Sequence, residues 1–188
     1  NQHTISNLTI ECKEVDQCAL LSTCLSSTFY DINFDRTSIS RVSNNTELLG
    51  DEENLSILCA LSVNSTFKNI SIGNRAYNNG KIGVLKNFFY EDFVVVNSVD
   101  EKDLNKEIKF NSRIISRTIN GRGVNKNMGF ICGKSYDDKF YNISINEVAM
   151  IGSGRMGSLC GTSESIEINQ LFLRNIALLI VNEEKEKV

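Results

Sequence analysis

Proline is absent from this 188-residue chain, where its usual ~5% frequency would supply about nine residues. Two causes produce that absence. A chain that feeds its backbone N–H groups into hydrogen-bonded ladders along most of its length has little room for proline. An A/T-rich coding bias would also deplete proline while enriching Asn, Ile and Lys. Histidine is almost missing as well: His3, near a chain end, is the only one, which leaves a histidine-dependent triad without its base. There is no C-x-x-C pair, so the cysteines do not read as a zinc site, and no metal or cofactor is expected. No run of 18 apolar residues occurs, so no membrane insertion is expected. Net charge is −3 and no basic stripe appears, which argues against nucleic acid as a partner. The chain starts at Asn1 rather than Met, which predicts a processed or excised piece whose signal peptide is already gone.

What is present is a repeat. Met128-Gly129-Phe130-Ile131-Cys132-Gly133 returns 28 residues later as Met156-Gly157-Ser158-Leu159-Cys160-Gly161. At the same offset Phe140, Ile143, Ile145, Val148, Ala149 and Met150 fall on Ile168, Leu171, Leu173, Ile176, Ala177 and Leu178. A fixed period of roughly 20–50 residues marks solenoids, propellers and arrays. The shorter pattern of a large apolar residue, two others, then apolar-x-apolar recurs at Ile5–Ile10, Phe29–Phe34, Phe67–Ile72, Tyr90–Val95, Phe140–Ile145 and Ile168–Leu173. A further copy is expected near Ile108–Ile119, where Ile108, Phe110, Ser112 and Ile114 alternate. Alternation with period two, rich in β-branched and aromatic residues, predicts strands. Gly, Asn, Ser and Asp between the runs predict turns. The fold class expected is all-β, a right-handed parallel β-solenoid (β-helix) of about seven rungs. It forms one domain over residues 1–188, with the acidic, Asn-rich residues 40–54 as an inserted surface loop.

The Gly-x-apolar-apolar-Gly element followed by a short β segment resembles the GLUG-type repeats of bacterial and protist surface proteins. The resemblance is good over residues 128–178, partial over 57–99 and weak elsewhere. It implies a β-solenoid on an adhesin-like, secreted or cell-surface polypeptide. The cysteine column is a departure from that family's pattern.

Candidate site residues fall into two sets. Cys24, Cys59, Cys132 and Cys160 read as one repeat position, with Cys12 and Cys18 standing apart. Either the column packs as reduced, small apolar groups or it forms disulfides, because equivalent positions ~4.8 Å apart lie within bridging range. The candidate pairs are Cys12–Cys18, Cys24–Cys59 and Cys132–Cys160. Six Asn-x-Ser/Thr sequons begin at Asn7, Asn44, Asn54, Asn64, Asn69 and Asn142. Asn7, Asn69 and Asn142 align in one column with Asp31, Asp92 and Gln170, and alternation turns that column outward, open to glycans. An amide ladder running from rung to rung is its other use.

These features predict an extracellular structural or adhesive module without catalysis. It would bind a protein or carbohydrate surface ligand, or pair with further copies at its ends. The competing readings are a filament subunit and a polysaccharide lyase or hydrolase on the same scaffold, with Asp92, Asp137, Asp138 and Arg113 in a groove.

Overall fold

A computed structural model describes residues 3–13, 15–43, 52–73, 83–85, 88–99, 110–118 and 125–181. Every helix or strand element among them is a strand. The chain opens in the largest of three sheets with β1 (His3–Ser6) and β2 (Thr9–Lys13), then crosses to a second sheet at β3 (Gln17–Cys18) and a third at β4 (Leu21–Leu25). It returns to the largest sheet at β5 (Thr28–Asp35) and β6 (Ser38–Ser43), then repeats the circuit through β7 (Glu52–Leu55) and β8 (Cys59–Val63). A third pass begins at β9 (Thr66–Ile72). It is interrupted by β10 (Gly83–Leu85) and β11 (Phe88–Val99), and resumes with β12 (Ser112–Thr118), β13 (Asn125–Gly129) and β14 (Cys132–Tyr136). The long β15 (Lys139–Gly152), β16 (Arg155–Gly157), β17 (Cys160–Glu164) and β18 (Glu167–Val181) complete the chain.

The β10–β11 pair is antiparallel, and the neighbours within the three stacks pair parallel. This all-β, parallel-sheet arrangement is compatible with a β-helix. Among the described residues the two smaller sheets run β3-β7-β13-β16 and β4-β8-β14-β17, four strands each.

The 28-residue offset is also the pairing register. Met128 stands beside Met156, Cys132 beside Cys160, Phe140 beside Ile168 and Met150 beside Leu178. Stacking places like residues over like, so apolar columns run through the interior. Ile143, Ile145, Leu171 and Leu173 share the main core, each no more than 3% exposed. Phe29, Phe67 and Phe140 form one ring stack, with centroids 5.3 and 5.0 Å apart. Gly129 and Gly157 repeat for a steric reason: a Cβ at either would collide with the carbonyl of Cys132 or Cys160 respectively.

The chain bends through columns of residues with left-handed backbone, which Asn and Asp tolerate best after glycine. Ser26, Asn64, Asp137 and Ser165 (φ 45–54°) turn the third sheet into the largest. Asp31, Asn69, Asn142 and Gln170 (φ 52–62°) bend the first half of the largest sheet. Five residues further along, Arg36, Glu147 and Asn175 (φ 48–54°) repeat the device.

The register corrects several sequence-based alignments. The apolar spacing occurs twice within the largest sheet, since Phe140-x-x-Ile143-x-Ile145 is followed by Ile145-x-x-Val148-x-Met150. The copies at Ile5 and Tyr90 belong to the second set: Ile5 pairs with Phe34 and Tyr90 with Leu173. Asn7 therefore follows the Ser6–Asp35 pair, opposite Arg36 rather than Asp31, and Asp92 lies opposite Asn175 rather than Gln170. Nor does β11 continue the stack from β9; it lies beyond β18. The copy expected near 108–119 is β12, whose Ile114 is buried between Ile39 and Met150. Cys24 pairs with Ser62, and Leu21 holds the position opposite Cys59, because Cys24 lies five residues before its aromatic whereas Cys59 and Cys132 lie eight before theirs. Of the surface loop expected at 40–54, Ser40–Ser43 belong to β6 and Glu52–Asn54 to β7, since burial of Arg41 against Glu53 hides charges that read as exposed. Residues 44–51 lie outside the described residues.

Candidate functional site

Four of the six cysteines are joined, Cys12 to Cys18 and Cys24 to Cys59, with Cα separations of 6.1 and 6.4 Å. Both bridges lie at the end of the molecule formed by β1–β4, one within the first pass and one tying it to the second. The third candidate pair is not bonded. Cys132 and Cys160 are free thiols in register on β14 and β17, the first buried and the second half-buried. Burial pushes the Cys132 thiol well above its ordinary value, and its neighbour Cys160 adds to the shift, so Cys132 is a poor nucleophile at neutral pH.

The sequon residues are scattered in burial. Asn7, Asn64 and Asn142 are exposed and Asn69 is half-buried. Asn142 Nδ2 donates to Asn69 Oδ1 and Asn69 Nδ2 to Asp31 Oδ1, both at 2.8 Å. The column is thus both outward and an amide ladder. Asn54 cannot serve as an acceptor in the folded chain. It is 3% exposed, donating to Gln17 Oε1 at 3.3 Å and accepting from Asn127 Nδ2 at 2.9 Å, while Asn127 Oδ1 takes the hydroxyl of Thr162 at 2.6 Å. Asn44 lies outside the described residues.

Among the described residues the acidic groups named by the sequence do not gather. Asp137 is an exposed corner residue. Asp138 is fully buried, accepting the Ser65 N–H and the Ser135 hydroxyl at 2.6 Å each, a brace between strands. A second buried set, unsignalled by the sequence, lies between β6, β7 and β13. Arg41 and Glu53 pair at 2.6 Å with side chains 0% and 1% exposed, Arg41 Nε also donates to the Val15 carbonyl at 2.7 Å, and Lys126 adds a second buried cation. Burial raises the Glu53 carboxyl above its ordinary value, against the pull of Arg41 and Lys126.

Of the proposed groove residues whose side chains are described, Arg113 lines an open cleft, where it meets Asn7; the side chain of Asp92 lies outside the described ones. The cleft, about 320 Å³, is lined by Asn7, Thr9, Arg36, Thr37, Ser38, Phe110, Asn111 and Arg113. It sits at the break in the stack between Gly73, after β9, and Asn111, before β12. Asn111 seals that break: its Oδ1 accepts the Arg36 N–H at 2.9 Å and its Nδ2 donates to Asp35 Oδ1 at 2.8 Å. The Ser112 hydroxyl in turn accepts the Thr37 N–H at 3.1 Å. The amide of Asn111 holds the Asp35 carboxyl below its ordinary value, with Arg36 assisting. Arg36 Nε pairs with Asp35 at 3.0 Å, and Arg113 Nε donates to Ser38 Oγ at 3.2 Å.

The residues of the cleft come from positions 7–9, 36–38 and 110–113: the first two sets stand side by side in the 29-residue register of β1 and β2 on β5 and β6, and the third joins them across the insertion between β9 and β12. No sequence spacing links the third set to the others, so Asn111 was not legible as a site residue. Among protein-family models, curated proteins and solved structures, none matches this chain.

Proposed function

We propose that the chain is an extracellular, non-catalytic β-solenoid module that works by presentation, as a structural or adhesive rod. In this reading the parallel sheets are the faces of one right-handed coil, four passes complete through all three sheets, with β18 opening a fifth and β11 laid on it. The observation that carries it is the register: residues 28 apart stand side by side from Met128 to Leu178. Such stacking repeats outward side chains every ~4.8 Å along the axis, a spacing suited to holding an extended ligand or lateral partners. Two disulfides support an oxidising compartment. The GLUG-type likeness of the glycine motif supports the same surface role by analogy. A carbohydrate-active enzyme draws less support, because Asp138 is committed to Ser65 and Ser135 while Asp137 faces solvent.

The test uses protein purified from its native source. It should bind intact cell surfaces or a glycan array without releasing reducing ends or unsaturated products from polysaccharides. Cleavage lost on changing Asp31 or Asp137 to Asn would replace this reading with the enzyme.

A further inference from the structure

We propose that the cleft between β2, β6 and β12 binds an anionic saccharide unit, a pyranose bearing a carboxylate or a sulfate. The proposal rests on the presentation role above and names its ligand. Three features of the lining point to that chemistry. Among the described residues its formally charged side chains are Arg36 and Arg113, and no described carboxylate lines it. Asp35, which pairs with Arg36, stands outside the lining. Guanidinium groups present forked donors that match carboxylate and sulfate oxygens.

Around the two arginines the remaining groups suit a sugar. Asn7, Thr9, Thr37, Ser38 and Asn111 supply short donors and acceptors, and Phe110 supplies an apolar ring against which the C–H face of a pyranose can lie. Arg113 is fixed by its bond to Ser38, and Arg36 by its bonds to Asp35 and, through its backbone, Asn111. Little ordering is then required on binding. The volume admits one or two sugar rings, so a longer chain would extend over the neighbouring sheet.

Asn7 adds an independent check. It is a sequon residue in the lining, and a glycan on it would fill the same space. The proposal therefore requires Asn7 to be bare in the native protein.

The experiment is calorimetric titration with three probes: oligogalacturonate for the carboxylate source, a heparin-derived oligosaccharide for the sulfate source, and a cello-oligosaccharide as the neutral control. Arg36→Gln and Arg113→Gln are compared with Arg155→Gln, which removes the same charge from an exposed strand elsewhere. One anionic probe should bind, the neutral one should not, and each cleft variant should weaken binding about tenfold or more while Arg155→Gln leaves it unchanged. The proposal is overturned if neither anionic probe binds, if Arg155→Gln weakens binding as much as the cleft variants, or if peptide mapping finds Asn7 fully glycosylated. Binding to cell surfaces that survives both cleft substitutions would overturn the cleft and leave the presentation role standing. Cleavage of a bound probe would overturn the presentation role.

Discussion

The buried Arg41–Glu53 pair gives the sharpest test of how this molecule is held together. Both side chains are removed from water, at 0% and 1% exposure and 2.6 Å apart, with Lys126 close by as a second buried cation. Desolvating two charges costs nearly as much as their attraction returns, whereas removing one partner strands the other, at about 3–5 kcal/mol. The structure makes the two deletions unequal. Glu53→Gln removes the carboxylate that pairs with Arg41 and attracts Lys126, so two buried cations lose its charge. Arg41→Met leaves Glu53 facing Lys126. The expected order is therefore Glu53→Gln at about 3–5 kcal/mol, Arg41→Met clearly less, and the double change Arg41→Met with Glu53→Leu milder than Glu53→Gln alone. For a chain of this length the first value lowers the melting temperature by roughly 6–20 °C. Urea unfolding followed by circular dichroism reads the midpoints, and an unchanged slope shows that stability and not compactness has moved. A Glu53→Gln midpoint equal to that of the parent would refute the reasoning. It would mean that burial already holds Glu53 protonated in the fold, the direction in which desolvation pushes it.

Other outcomes follow from the same geometry. Ile145→Asp places an unpaired carboxylate at a fully buried core position, and should lower stability by several kcal/mol in the same urea assay. In unreduced, denatured protein a thiol titration should find two reactive groups, Cys132 and Cys160; six would remove both bridges. Glycans in native-source material should sit on at least two of Asn64, Asn69 and Asn142 and never on buried Asn54, and site-resolved mass spectrometry after N-glycosidase treatment decides this. Asp35 has a depressed folded value, so its stabilising contribution is complete above its unfolded value of about 3.8 and vanishes as pH falls through the lower folded one. Asn111→Ala should therefore flatten the loss of stability on acidification below about pH 4, and an unchanged acid limb would count against that bond.

How much of this was legible in the sequence depended on whether a signal was unique. The 28-residue copy was, because Met128-Gly129 and Cys132-Gly133 have one partner each, and its register held down to single residues. The apolar hexad was not. It recurs five residues later in the same strand, so Ile5 and Tyr90 could be slid by five without any apolar residue turning outward, and both were. Cys24 failed for a related reason: its distance to the next aromatic is three residues short, and a cysteine attracted the alignment that Leu21 deserved. Asn7 and Arg113 were singled out separately, but their meeting in one cleft was beyond reach, since periodicity reports neighbours within a stack and says nothing of where an interrupted strand resumes. Buried charge was hidden too, because Arg41 and Glu53 look like loop residues until their partners are known.

The placement of β11 has a consequence for the order in which the chain can be completed. Residues 88–99 lie in mid-sequence, yet their parallel partner is β18, so Phe88 meets Leu171 and Val95 meets Leu178. During synthesis the segment leaves the ribosome some 80 residues ahead of the strand that receives it. It must wait, with the apolar run Phe93-Val94-Val95-Val96 lacking its final neighbour, until every intervening pass has been laid down. Contacts of such separation form late, and apolar strands left unpaired are those that associate with other chains. Yield and solubility on expression should therefore depend on the last strand. A chain halted before β18 would strand β11, whereas one shortened through residues 74–109 would remove the segment that has to wait.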